Sequence, residues 1–398
     1  MTGLAGKGAA VGTAFGAHGA GSDRPEKDEL RIGFMPLADC APLVMASILG
    51  FDEKYGVKLV LEKQHSWSAM RDRLTGGELD AAQALYGLLY GLQMGIGSAG
   101  RDMAVLMNLN QNGQSIVLSR AIAAAGVRDG AGLAALMREQ PRRYTFAHTF
   151  PTGNHAMFLC YWLAAAGIDP IAQTRLVTVP PAQMAANLEA GHMDGFCAGE
   201  PWSRRAVIEA SGVLVSPSSE VWPDHPGKAL GARADFVAQH PNSCRALVAA
   251  LLDTARWLDA SPTNREAAAE VLASPAYIHA DIDLLRACLV PRRANAPGLR
   301  FFAQGEATFP WLSDGMWFLT QQRRWGLLRD DPDYLAVARA VNQLALYREA
   351  AQLAGVDLPS GAMRSSRLMD GRVWDGSDPV AYAGSFDIHQ RDPQPLSA

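Results

Sequence analysis

Residues 74–87, LTGGELDAAQALYG, and residues 188–201, LEAGHMDGFCAGEP, carry the same succession of signals. Each shows the apolar end of a helix, a glycine turn, an acidic residue, and a short apolar run that reads as a buried strand. Junctions of helix, glycine and strand are common, so two of them can agree by chance. If the likeness is structural, the chain holds two α/β units of one design with a cleft between them.

The flanking sequence continues the alternation. Upstream, LRIGFMPL (30–37) has β character, and DCAPLVMASILGFDEKYG (39–56) has helical spacing closed by Gly50, with Gly56 at the next turn. VKLVLEKQ (57–64) alternates as a strand, and SAMRDRLTGGELD (68–80) is a helix stopped by Gly76 and Gly77. MAVLMNLN (103–110) and QSIVLSR (114–120) read as strands on either side of Gln111-Asn112-Gly113. A second block begins after Arg120 with strand, Pro/Gly loop and helix in 142–169, then strands at RLVTVP (175–180), MDGFCAGEPW (193–202) and GVLVSPS (212–218). The order predicts α/β sheets with a mostly parallel core. From Gly231 the pattern is predominantly helical, and the polar tail after Asp357 is expected to lie over the surface.

Composition bounds the function. The 398 residues fit about two domains. The net charge of −4 comes with no basic block, which gives no footprint for direct nucleic-acid binding. No run approaches the roughly 20 apolar residues of a membrane span. The five cysteines are scattered and lack zinc spacing, which reads as buried thiols in a reducing compartment. Residues 1–28 are rich in Gly and Ala, and their apolar stretch is repeatedly broken by glycine. They read as a flexible, uncleaved N-terminal arm, and hence as a cytoplasmic protein.

Dinucleotide-binding, Walker A, G-x-S-x-G and H-E-x-x-H motifs are all missing, and no cofactor or metal is implied. The polar residues that stand out are instead donors. Trp67 sits at a strand-to-helix junction and Gln114 follows the turn NQNG. His155 lies in FPTGNHAMF (150–158), where a helix begins, and Lys228 lies in the Pro/Gly loop PDHPGKAL (223–230). Taken singly, Trp67 is a packing residue, Gln114 a turn residue, His155 a helix-start residue and Lys228 a solvated charge.

Taken together they resemble a known pattern. LRIGFMPLADCAPLVMA, SWSAMRDRLTGGELDAAQAL, NLNQNGQSIVLS, FPTGNHAMFLCYWL, MDGFCAGEPW and, near the end, DGRVWDGSDPVAYAGSFDI resemble the nitrate-binding family of periplasmic-type solute receptors. That family includes nitrate and bicarbonate receptors of ABC transporters and cytoplasmic NasS-like nitrate/nitrite sensors. The resemblance implies a periplasmic-binding-protein type II fold: two α/β lobes that close on a ligand in the cleft between them. Residues 29–118 and 231–398 then form a discontinuous first lobe, and 119–230 the second. The family's anion-holding residues map onto Trp67, Gln114, His155 and Lys228, with Thr152, Gly153 and Asn154 as further loop donors. Bicarbonate-binding relatives carry an acid where Lys228 stands, so the lysine implies nitrate or nitrite. A small monoanion with only acceptor oxygens suits a ring of donors and one fixed cation.

Because the N-terminus shows neither export signal nor lipid anchor, the resemblance leans toward a sensor. Such a sensor holds a NasT-like RNA-binding antiterminator and releases it on binding the anion. A periplasmic nitrate receptor is the alternative. A thiamine-pyrimidine-synthesis enzyme shares the fold, but would need a reactive histidine or a metal-coordinating cysteine cluster.

Overall fold

The computed structural model describes residues 23–290 and 298–390. Its strands are β1 (Glu29–Phe34), β2 (Lys58–Lys63), β3 (Ala81–Ala84), β4 (Met103–Gln111), β5 (Gln114–Ser119), β6 (Tyr144–His148), β7 (Thr174–Thr178), β8 (Gly195–Gly199), β9 (Gly212–Pro217) and β10 (Pro226–Arg233). They form two five-stranded sheets, ordered β2-β1-β3-β10-β4 and β7-β6-β8-β5-β9. The orders match β1 with β6, β2 with β7 and β3 with β8. The two stretches that opened the sequence analysis therefore lead into the central strands of equivalent sheets.

The likeness extends to side chains. Gly77 (φ 82) and Gly191 (φ 74) take left-handed backbone after their helices, where a residue with a Cβ is strained. Asp80 then accepts from Arg31 N at 2.8 Å, while its own N–H donates to Arg31 O at 2.9 Å. Asp194 does the same with Thr145, at 2.8 Å and 2.7 Å. Each acid ties its strand to the neighbouring parallel strand, and each carries a cation, Lys27 on Asp80 and Arg142 on Asp194. Two junctions that share sequence by chance would not share these four bonds.

In each sheet the three strands at one side are parallel, and the strand arriving from the other half, β10 or β5, is antiparallel to both neighbours. Four of the five strands in each sheet therefore run the same way, in keeping with the mostly parallel core, and β10 or β5 alone is reversed, because strand periodicity carries no direction. β4 is buried along all nine residues, as a strand covered on both faces must be. The helix Pro241–Ala260 packs against the helices Ala41–Ile48, Phe51–Lys54 and Leu344–Leu353, enlarging the first lobe.

Three expectations are corrected. The chain passes between sheets at Asn112-Gly113 and again at residues 218–225, so β5 belongs to the second lobe and β10 to the first. The expected divisions at 118/119 and 230/231 fall within these strands instead of before them, because an apolar run does not reveal its partner. Of the N-terminal arm, residues 1–22 lie outside the described residues, but 23–28 are pinned. Lys27 Nζ meets Asp80 at 2.7 Å, and Glu26 accepts from the backbone N–H groups of Asn242 and Ser243. The tail after Asp357 buries Leu368, Trp374, Tyr382 and Phe386, and Trp374 Nε1 donates to Ser313 O at 2.8 Å. Its high share of polar residues concealed these widely spaced anchors.

Candidate anion site

Strand ends and crossovers place the candidate residues. Ser66 caps the helix Trp67–Gly76 by accepting from Ala69 N, which fixes Trp67 at the first helical position. The indole is 1% exposed, and its Nε1 has no partner. Gln114 opens β5 directly opposite Gly199, the last residue of β8, so both face the same side of the sheet. Gln114 Nε2 reaches Gly227 O at 3.4 Å, and its Oε1 is unpartnered.

His155 stands in the first turn of the helix Asn154–Ala165, fully buried. Burial, then the charge of Lys228, holds its pKa well below the usual value, so the ring is neutral. Nδ1 lies 2.5 Å from Thr149 Oγ1, and Nε2 has no partner. With the hydroxyl donating to Nδ1, the ring hydrogen sits on Nε2 and makes that nitrogen a donor. His148, at the end of β6, also has an unpartnered buried nitrogen, and burial lowers its pKa to about 4.

Lys228 lies inside β10 rather than in a loop and is fully buried, with its backbone N–H on Asn110 Oδ1 at 3.0 Å. Its Nζ is 6.0 Å from the centre of the Trp67 ring. A methyl group built on Gly199 would lie 3.6 Å from His155 Nε2 and 3.7 Å from Lys228 Nζ. Gly199 therefore marks the point on which His155, Lys228 and Gln114 converge, with Trp67 across the lysine.

Lys228 is not a lone cation. Nζ donates to Asp39 Oδ2 at 2.8 Å, and Gln83 Nε2 donates to Asp39 Oδ1. Gln83 Oε1 in turn accepts from Met35 N at 2.8 Å. Asp39, Gln83 and Gly199 were missed in the sequence. Asp39 sits in an unremarkable acid-containing turn, and only the crossover to β10 brings it a lysine from 189 positions away.

Thr152, which also lines the adjoining cleft, Gly153 and Asn154 are packed into the frame beside the site. A methyl built on Gly91 would touch the Thr152 side chain, and Thr152 O accepts from Gln322 Nε2 at 3.4 Å. Gly153 leaves room for Leu85. Asn154 Nδ2 donates to the carbonyls of Pro226 and Gly227 at 3.0 and 3.1 Å, and its Oδ1 accepts from Gly87 N. These bonds lash the helix carrying His155 to the strand carrying Lys228. A cleft of about 770 Å³ opens alongside, lined by Ser68, Arg71, Phe150, Pro151, Thr178 and Arg329. Ser68 and Phe150 are the chain neighbours of Trp67 and Thr149.

Two α/β lobes joined by crossovers, with buried polar side chains collected where the strand ends of both sheets meet them, are the architecture of type II solute-binding proteins. Residues 23–273 match the NMT1-like family, and the chain belongs to that family. It is 34% identical to the nitrate/nitrite binding protein NrtA of Synechocystis sp. PCC 6803, over 92% of this chain and 87% of the relative. It is 30% identical to the bicarbonate-binding protein CmpA of Synechococcus elongatus, over 93% and 89%. The crystal structure of the periplasmic nitrate-binding protein NrtA from Synechocystis PCC 6803 superposes with a TM-score of 0.86 at 33% identity, covering 92% of this chain and all of that one. The nitrate import ATP-binding protein NrtC of the same organism is 34% identical, and the chain spans 57% of its length. NrtA and CmpA are named as binding proteins, and NrtC as a component of nitrate import.

Proposed function

We propose that this chain binds nitrate or nitrite through Trp67, Gln114, His155 and Lys228, and that it acts as a cytoplasmic sensor controlling a NasT-like antiterminator. The observation that carries the anion reading is the unpartnered pair Trp67 Nε1 and His155 Nε2 beside the buried Lys228. A planar anion with acceptor oxygens satisfies all of them, and leaving them bare has a desolvation cost of about 1–3 kcal/mol each. Lys228 favours nitrate or nitrite over bicarbonate, and the likeness to nitrate-binding relatives supports that choice.

The sensor reading is supported by the five free thiols, which suit a reducing compartment. The anion would shift the lobes toward a closed arrangement that no longer fits the antiterminator, provided it binds that arrangement more tightly. The second reading, a periplasmic nitrate receptor, is favoured by the periplasmic NrtA structure. Cell fractionation separates the two.

Calorimetry with nitrate, nitrite, bicarbonate and sulfate tests the ligand. Lys228→Glu is expected to abolish nitrate binding, and unchanged affinity would remove Lys228 from the site. For the regulator, a pull-down of the antiterminator that is insensitive to nitrate would defeat the sensor half while leaving the binding half standing.

A further inference from the structure

We propose that Asp39 sets the charge of the site, so that a monoanion enters together with one proton, which Asp39 takes up. The proposal rests on reading the donor ring as an anion site. Lys228 and Asp39 are 0% and 1% exposed, with Nζ and Oδ2 2.8 Å apart, so their charges cancel within the protein. Before a ligand arrives the site is neutral. An anion placed on the remaining N–H bonds of Lys228 adds a net negative charge where water does not reach, and burying an uncompensated charge is strongly unfavourable. One proton from solvent removes that penalty.

Asp39 is one of two buried carboxyls here. The other, Glu200, whose pKa burial also raises, is tied to Arg204 by its backbone N–H at 3.1 Å and its guanidinium at 3.9 Å, which leaves Asp39 as the acceptor in contact with Lys228. Lys228, from β10, is the donor of the pair. Cys40, on the same turn as Asp39, and Cys197, from β8, are held as neutral thiols by burial. His155 from its helix, His148 from β6 and His225 from the second crossover are held neutral by burial, and protonating any of them sets a second cation near Lys228. Asp39 differs: burial raises its pKa, against the opposing pull of Lys228 and Gln83. Any anion that draws Lys228 toward itself weakens the larger opposing influence. The step balances. An ion pair, an anion and a proton become a neutral carboxylic acid and a lysinium–anion pair. Gln83 Nε2 keeps its acceptor on Oδ1 throughout.

The arrangement also sets specificity. One carboxylate supplies one proton site, which balances a monoanion and leaves a dianion such as sulfate with a buried net charge.

Calorimetry of nitrate binding in two buffers of different ionisation enthalpy counts the protons. Near one proton per nitrate is expected, with Kd rising by up to about tenfold per pH unit toward alkaline pH. Asp39→Asn keeps the shape and removes the titrating group, so uptake should vanish and Kd should become flat with pH. Nitrate binding without proton uptake in the unaltered protein overturns the proposal, whether or not the variant folds. Uptake that survives Asp39→Asn and disappears in His155→Gln overturns it as well. Absence of all nitrate binding would defeat the functional reading and this proposal with it.

Discussion

Gly199 is where a single methyl group separates binding from folding. Its backbone is not left-handed, and an added Cβ would sit 3.3 Å from Leu37 Cδ2, 3.6 Å from His155 Nε2 and 3.7 Å from Lys228 Nζ. Leu37 must give slightly, and the two nitrogens meet the methyl at ordinary contact distance. Gly199→Ala should therefore fold with a thermal midpoint within a few degrees of the parent while losing nitrate binding, as read by scanning and titration calorimetry. A variant that binds normally would show that the anion does not approach Gly199. At this scale the sequence was partly legible. The local signals around Trp67, Gln114 and His155, a strand end, a turn and a helix start, are where the structure puts them. Lys228 was read as a loop residue because Pro and Gly beside it look like a turn, whereas they occupy a strand with register irregularities. The Asp39 partner was invisible, since no local pattern encodes a contact formed across the crossovers.

Among elements, the two aspartates at the feet of β3 and β8 are the clearest sign of a repeated design. Each accepts a backbone N–H from the adjoining strand and a charged side chain besides. Removing either leaves an N–H of the interior strand β1 or β6 without its partner, and such a loss is worth about 1–3 kcal/mol. Asp80→Ala and Asp194→Ala are expected to lower stability by similar amounts in that range, measured by urea unfolding. If one is silent, the equivalence of the junctions is only geometric. The repeated stretches were readable because helix end, glycine and acid are local. Strand direction and partnership were not readable, and the lobe boundaries were misplaced for that reason. The tail misled in the same way: Leu368, Trp374, Tyr382 and Phe386 are too widely spaced among polar residues to show a period.

For the whole molecule, three buried histidines near the cleft set an acid limit on the fold. Burial lowers His148 to about 4 and His225 to about 3, and places His155 well below the usual histidine range. In the unfolded chain each takes a proton near 6.5, while the folded protein resists until far lower pH. Their stabilising effect is therefore complete above about pH 6.5 and is lost as pH falls toward about 4. Each histidine adds a slope of about 1.4 kcal/mol per pH unit in that window. Urea midpoints measured from pH 7.5 down to 5 should fall, and His148→Gln should make the fall shallower. A midpoint insensitive to pH in this range would mean that the rings are protonated in the folded state.

The interior position of β10 between β3 and β4, and of β5 between β8 and β9, has a bearing on biosynthesis. When residue 225 leaves the ribosome, the first sheet still consists of a three-stranded piece and an isolated β4, with the strand that joins them unmade. The first lobe cannot complete itself early and wait for the second, because its central filler is supplied after the second has been threaded. In a fragment ending at residue 225 the amides of β1–β4 are expected to exchange freely while those of β5–β9 stay protected, whereas a fragment reaching past β10 regains the strand that closes the first sheet. Nascent chains of this design carry an open first sheet for more than half of their synthesis, while the second sheet has all five strands once β9 is made.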